Sequence, residues 1–159
     1  MIGMVAGFYL YLADAARFIV NLSVPDAEEF SELTITGEVY GGCRNACPSF
    51  QVQADGSYRY LYTPEAGAAQ VIRQGDLPVR LRNNLKDVLT PTALEKQSTV
   101  IEPLVCNSYS DGIDVQYDIT LNGRDYFIDS CGTNVDGAGV LWKTLGSIWT
   151  YFELTGGNN

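Results

Sequence analysis

The sequence contains no histidine, and it has 10 lysines and arginines against 19 aspartates and glutamates. Without histidine the chain cannot form a Ser-His-Asp or Cys-His nucleophile system, and it offers zinc or haem no imidazole ligand. The net charge of −9 argues against a nucleic-acid partner, because phosphates are bound by a basic face. No dinucleotide-binding or phosphate-loop glycine motif is present either. These absences predict a protein that is not an enzyme and that holds no cofactor and no metal.

What the sequence does contain is the composition of a folded protein, with 46% hydrophobic and 18% charged residues. We divide its 159 residues into four parts. These are an N-terminal membrane-anchor helix (1–24), an acidic linker (25–32), a disulfide-stapled α+β periplasmic domain (33–154) and a tail (155–159).

Two alternating stretches in the domain, 49–62 and 113–130, contain the turn dipeptides Asp55-Gly56 and Asn122-Gly123 and predict β-hairpins. The register of the second hairpin puts its apolar residues on one face: Val115, Tyr117, Ile119, Leu121, Tyr126 and Ile128. Apolar residues at helical spacing follow each of them, within 77–89 and 138–154. The predicted fold class is therefore α+β: an antiparallel sheet of two β-hairpins, each followed by a helix, behind an N-terminal helix.

The first hairpin is predicted to turn on two residues, Asp55 and Gly56. That register separates the side chains of the hairpin onto two faces. Phe50, Val52, Ala54 and Leu61 lie on the core face, and Tyr58, Tyr60 and Tyr62 lie on the other. Because tyrosine is favoured at interfaces, the three tyrosines are a candidate interaction surface, unless another element of the domain covers them.

Residues 2–22, IGMVAGFYLYLADAARFIVNL, are the longest apolar stretch in the chain. A helix of 21 residues is about 31 Å long, close to the thickness of a bilayer core, so we predict a single membrane span. Asp14 and Arg17 stand on one helical face, where they could neutralise each other and dock the helix on a partner membrane protein. A cleaved signal peptide and a buried soluble helix are the alternatives.

The four cysteines are best read as two disulfides, with Cys43–Cys47 and Cys106–Cys131 the favoured pairs. The C-x-x-x-C spacing before a strand does not match a thioredoxin centre, and Cys106 lies 25 residues from Cys131, unlike the close pairs of a zinc site. Four cysteines still allow three pairings. Paired cysteines indicate an oxidising compartment.

The stretch GGCRNACPSFQVQADGSYRY resembles the opening of an uncharacterised bacterial domain-of-unknown-function family of exported envelope proteins, which begins C-F-G-x-C-P. The matching positions are Cys43, Cys47, Pro48, Phe50, Asp55, Gly56 and Tyr60. The later stretch CNSYSDGIDVQYDITLNGRDYFIDSCGT is similar too, so that the resemblance covers about residues 33–152. It implies an exported, disulfide-bearing α+β domain and no catalytic residue. Arg44 and Asn45 replace the usual Phe-Gly.

These observations favour a non-catalytic, membrane-anchored accessory or structural subunit. Its periplasmic domain would pack on a larger respiratory, photosynthetic or secretion complex, and its partners would be integral membrane subunits. The predicted location is the bacterial inner membrane, with a single span and the domain in the periplasm. One alternative is a free-standing envelope module that binds a small molecule or glycan on the tyrosine face. Another is a thiol-disulfide oxidoreductase at Cys43 and Cys47. Calcium at Asp111, Asp114, Asp129 and Asp136 would rest on acidic loops alone.

Overall fold

The structure is a computed structural model that describes residues 32–156. Six strands form one sheet in the order β4-β3-β2-β1-β5-β6, with every neighbouring pair antiparallel. The strands are β1 (Leu33–Gly41), β2 (Ser49–Gln53), β3 (Ser57–Tyr62), β4 (Val71–Asp76), β5 (Ile113–Leu121) and β6 (Arg124–Asp129). The helices are α1 (Val79–Val88), α2 (Pro91–Gln97) and α3 (Val140–Gly156), and a short 3-10 turn spans Asn107–Ser110.

The predicted fold class is wrong in its account of the sheet. The first hairpin gains a third strand, β4, and the two hairpins do not pair with each other, because β1 lies between them and pairs with both β2 and β5. The predicted N-terminal helix and the acidic linker's residues up to 31 lie outside the described residues. Within residues 32–156, no helix is both long enough and apolar enough to cross a bilayer.

The first hairpin turns on three residues, Ala54, Asp55 and Gly56. The Gly56 N–H donates to the Gln53 carbonyl at 2.9 Å, and Gly56 has a φ of +88°, which a glycine adopts without strain. Val52 therefore pairs with Tyr58, one residue away from the register of a two-residue turn. Because side chains alternate along a strand, this slip moves every residue of β3 to the opposite face.

The predicted placement of the tyrosines is therefore wrong for Tyr58 and Tyr60, each of which is only 7% exposed. Tyr62 is half-buried. The rings pack under α3: Tyr60 stacks on Phe152 at 4.4 Å between ring centroids, and Tyr58 lies 4.9 Å from the same ring. Phe50 meets Trp149 edge-on at 4.6 Å. This aromatic layer joins β2 and β3 to the C-terminal helix.

Arg73 of β4 closes the outer end of the aromatic layer. Its guanidinium lies 5.2 Å from the Tyr60 ring centroid and 5.6 Å from that of Phe152, within the range of cation–π contacts. The same guanidinium donates to the Phe152 carbonyl oxygen at 3.0 Å, close to the C-terminal end of α3. A cation there also complements the helix dipole.

The second hairpin turns on two residues, as predicted. Leu121 pairs with Arg124 across the turn, and Asn122 and Gly123 have φ values of +50° and +77°. Asn-Gly readily adopts this conformation at both positions, whereas Ala54, Asp55 and Gly56 form the longer loop. The resulting register buries Tyr117, Ile119, Tyr126 and Ile128 under the helices.

Replacing Tyr60 with alanine tests the register of the first hairpin. Tyr60→Ala is expected to lower the free energy of unfolding by about 4 kcal/mol, because it removes a buried aromatic ring from the core. Gln53→Ala, at an exposed position of the same hairpin, is the control and should change stability by less than about 0.5 kcal/mol. Both values come from urea denaturation. A Tyr60→Ala variant with nearly the same free energy of unfolding as the wild type would contradict the three-residue turn.

Candidate functional site

The connection from α2 to β5 carries a dense group of exposed apolar side chains. Eleven large hydrophobic residues are exposed within residues 32–156, and five of them lie between positions 100 and 113. These five are Val100, Leu104, Val105, Tyr109 and Ile113, each at least 48% exposed. We call residues 100–113 the apolar segment. Exposed apolar side chains concentrated in this way are a feature of surfaces that contact another protein, a membrane or a ligand.

The apolar segment is hydrogen-bonded to the turn that follows β6, at residues 131–133. The Ile101 N–H donates to the Gly132 carbonyl at 3.1 Å, and the Val105 N–H donates to the Cys131 carbonyl at 3.2 Å. The disulfide between Cys106 and Cys131 adds a covalent link at the same place. Because its backbone is held on this side, the segment presents its apolar side chains outward in a defined arrangement.

Asp114, at the start of β5, fixes the end of the apolar segment. The residue has 0% of its surface exposed, and its carboxylate accepts from the Ser108 N–H at 2.8 Å and from the Ser130 hydroxyl at 2.9 Å. The backbone and side-chain N–H groups of Asn107 add two longer bonds, each 3.3 Å. The carboxylate thereby caps the 3-10 turn in the way that an acidic residue caps a helix N-terminus.

The environment of Asp114 favours its charged form. Burial by itself raises the pKa of a carboxyl group, but the hydrogen bonds from Ser108, Ser130 and Asn107 outweigh it and leave the pKa of Asp114 below its usual value. Asp114 is therefore a carboxylate at neutral pH. Four donors occupy its oxygens, so its role is to hold the backbone rather than to move protons.

A second buried carboxylate supports the other side of the disulfide. Asp129 accepts from the Tyr40 hydroxyl at 2.7 Å and from the Cys131 N–H at 3.0 Å. Burial raises the pKa of Tyr40, and the hydrogen bond to Asp129 raises it further, so Tyr40 stays a neutral donor. Thr133 closes the network by donating to the Asp129 carbonyl oxygen at 3.1 Å and accepting from the Asp129 N–H at 2.9 Å.

The Cys43–Cys47 loop lies at the same end of the sheet as the apolar segment. Gly41, the last residue of β1, pairs with Ile113, and the Gly42 N–H donates to the Gly112 carbonyl at 3.0 Å. A side chain at Gly42 would lie 2.5 Å from the Asp111 carbonyl oxygen, so the close approach requires glycine. Both disulfides and the apolar segment therefore lie at the same end of the sheet.

The structure confirms the predicted disulfides, Cys43–Cys47 and Cys106–Cys131. The predicted helix-docking residues, Asp14 and Arg17, lie outside the described residues. The predicted tyrosine surface does not form, since Tyr58 and Tyr60 belong to the core. The apolar segment was missed. Its signal in the sequence is the run of apolar residues in VIEPLV (100–105), which has neither strand nor helix periodicity and which no turn dipeptide explains.

One group of metal-ligating atoms occurs in the described part of the chain. The sulfurs of Cys106 and Cys131 and a carboxylate oxygen of Asp114 lie within 4.8 Å of one another. The two sulfurs are bonded to each other, and the Asp114 oxygens already accept four hydrogen bonds. The three groups therefore form a structural brace in this state, with no free thiolate to offer a metal.

Comparison with protein-family models found no match, and comparison with curated proteins found no similar sequence. The resemblance to the exported envelope family therefore stays a prediction.

Removing the charge of Asp114 tests its role as a brace. Asp114→Asn is expected to lower the free energy of unfolding at pH 7 by about 3 kcal/mol, because buried charge-assisted hydrogen bonds are lost. Since the folded pKa is depressed, this contribution is complete above the unfolded pKa of about 3.9 and is lost as pH falls through the folded pKa. Urea unfolding as a function of pH should therefore show a smaller loss of stability in acid for Asp114→Asn than for the wild type.

The matched control is Asp111→Asn, which changes an exposed aspartate three residues away. Asparagine tolerates the left-handed backbone at position 111, where φ is +60°. The control should keep the wild-type stability and acid response. An Asp114→Asn variant as stable as this control at pH 7 would contradict the role assigned to Asp114.

Proposed function

We propose that the chain is a non-catalytic accessory domain of an oxidising, extracytoplasmic compartment, and that it docks on another protein through the apolar segment. The observation that supports this proposal is the combination of exposure and rigidity in residues 100–113. Five large apolar side chains face solvent on a backbone held by a disulfide and by the Asp114 carboxylate. A rigid apolar surface loses little conformational entropy on binding, which favours a protein partner with a matching groove.

The pairing of all four cysteines supports the compartment. Both disulfides are formed and no cysteine of the chain remains free. Stable disulfides are typical of exported proteins and rare in the cytosol. The periplasm was the predicted location, and it stays a prediction.

Charge indicates what kind of surface the partner presents. Glu102 and Asp111 lie exposed within the apolar segment, and the chain has a net charge of −9. Acidic groups around an apolar contact favour basic groups around the complementary groove, because opposite potentials guide association and discourage wrong partners. The proposed partner is therefore a protein with an apolar groove and a basic rim. An integral membrane subunit, as predicted from the sequence, is one such partner.

Polar substitutions in the apolar segment test the docking proposal. Each variant is expressed in the native cells, and extracts are separated by size and quantified by mass spectrometry. The wild-type chain should migrate with a larger assembly at a fixed ratio. The double variant Val105→Ser/Tyr109→Ser should lose at least about tenfold of this association, because central apolar contacts dominate binding energy.

Val140→Ser is the control, because Val140 is 68% exposed but belongs to α3. It should associate as the wild type does. Migration of the wild-type chain free of any other protein, or equal association of the double variant and the wild type, would refute docking through this segment.

A thiol-disulfide exchange role at Cys43 and Cys47 is the second candidate, and exposure favours it. Cys43 and Cys47 are both partly exposed and the three residues between them are exposed, whereas in the other disulfide Cys106 is partly exposed and Cys131 is buried. In exchange, a partner thiolate would attack one sulfur and break the Cys43–Cys47 bond, and a second partner thiol would then release the mixed disulfide. The partner dithiol is oxidised and the two cysteines are reduced. Binding of a small molecule or glycan was predicted on the tyrosine face, which does not form because Tyr58 and Tyr60 are buried.

The two disulfides should differ in their effect on stability and in their ease of reduction. Loss of Cys106–Cys131 by double serine substitution should cost about 3.5 kcal/mol and loss of Cys43–Cys47 about 2 kcal/mol, since loop-closure entropy grows with loop length. In a series of glutathione buffers, alkylation and mass spectrometry should show Cys43–Cys47 reduced at the less reducing ratio. Equal reduction of both bonds would remove the support for the exchange role.

A further inference from the structure

The face of the sheet opposite the helices is lined by three rows of side chains that run across all six strands. The middle row is continuous in the strand registers. From β4 to β6 its members are Gln74, Arg59, Gln51, Thr36, Asp118 and Phe127. The cation of the row, Arg59, is therefore on β3, the second strand across the sheet, and the anion, Asp118, is on β5, the fifth.

The charges of this middle row have no partner of opposite sign in the part of the chain that the structure describes. The ion pair found within residues 32–156, between Arg124 and Glu95, involves neither Arg59 nor Asp118. Arg59 is exposed in the otherwise uncharged middle of β3. Asp118 stands beside other acids: partial burial raises its pKa, and the nearby charges of Glu38 and Asp125 raise it further. Within the middle row, Arg59 and Asp118 thus present opposite charges about 14 Å apart, three strand spacings across the sheet.

We propose that this open face binds the same face of a second copy of the chain, with a two-fold axis that runs parallel to the strands between β1 and β2. That axis places β3 of one copy opposite β5 of the other. Arg59 of one copy then lies opposite Asp118 of the other, and symmetry makes the pair twice. Each copy supplies the counter-charge that the other lacks. The arrangement is the aligned face-to-face packing of a β-sandwich.

The shape of the face agrees with this symmetry. The β2–β4 half contains two shallow depressions on either side of Arg59, of about 330 Å³ and about 210 Å³, and a third of about 460 Å³ lies near the axis, beside Thr34 and Gln53. The opposite half carries Phe127, whose side chain is 43% exposed at the outer strand. The two-fold axis brings Phe127 of one copy over β4 of the other, where Ile72, 56% exposed, lies one row away. A projecting ring thereby meets a recessed and partly apolar surface.

The same axis also makes one unfavourable contact, which provides a further test. Asp76 and Asp125 occupy the outer strands of the neighbouring row, so each lies opposite the other in the second copy. The overlap is small: six strands by about five residues give roughly 500 Å² per copy, or about 1,000 Å² in total, at the lower limit for specific interfaces. The dimer is therefore expected to be weak, and Asp76→Asn should strengthen it.

Charge exchange at Arg59 and Asp118 tests the proposal by sedimentation velocity over about a hundredfold range of concentration. The wild type should show a monomer–dimer equilibrium. Arg59→Glu places acid against acid twice, and Asp118→Arg places cation against cation twice. Each single variant should therefore weaken dimerisation at least about a hundredfold. An equimolar mixture of the two variants should restore the dimer, because both contacts are then between opposite charges.

Both positions are exposed, so the variants are expected to fold, and thermal unfolding of each verifies this. Arg80→Glu, an exposed charge reversal on α1, is the control and should dimerise as the wild type does. A wild type that stays monomeric at every concentration would overturn the proposal. So would single variants that dimerise normally, or a mixture that stays monomeric. The Val105→Ser/Tyr109→Ser variant tests docking through the apolar segment. Its outcome does not affect the dimerisation test at Arg59 and Asp118.

Discussion

The contact between the aromatic rings of β2 and β3 and those of α3 decides which face of the sheet is buried. Phe50, Tyr58 and Tyr60 pack against Trp149 and Phe152 with centroid distances of 4.4 to 6.4 Å. Aromatic rings bury large areas, and their preferred tilted or offset arrangements add to the stability of the layer. The contact buries one face of the sheet in the core, and no helix of residues 32–156 packs on the other face. Within the described residues, the open face and the apolar segment are therefore the two surfaces proposed to bind partners.

The first hairpin shows where reasoning from sequence succeeds and where it fails. The two strands and their turn were correctly located from alternation and from Asp55-Gly56. The turn length was not, because an Asp-Gly pair fits both a two-residue turn and the end of a three-residue loop. Because the turn is one residue longer than predicted, each side chain of β3 lies on the opposite face of the sheet. Tyr60 moved from the predicted interaction surface to the core, and Leu61 moved from the predicted core face to the opposite face. Asn122-Gly123 left no such ambiguity, and its register was predicted correctly.

The candidate site could be predicted only in part for a related reason. Cysteine spacing correctly indicated both disulfides, because Cys106 and Cys131 flank a hairpin that brings them together. The apolar segment gave no periodic signal, since its backbone bonds go to residues 131–133 and not to a regular strand. The role of Asp114 depends on donors from Ser108 and Ser130, which meet only when the sheet and the 3-10 turn are both in place. Such contacts are properties of the tertiary structure.

The link between Arg73 and the end of α3 ties two outlying parts of the molecule together. Strand β4 is the outermost strand of its side of the sheet, and α3 ends at Gly156, whose missing side chain would lie 3.6 Å from the Arg73 guanidinium. Arg73 holds both by a single side chain, so the edge strand and the last helical turn should open and close as one unit. A tag or fusion partner joined directly after Gly156 would therefore disturb the backbone hydrogen bonds of β4, about eighty residues earlier in the sequence. A flexible spacer at that junction would leave both undisturbed.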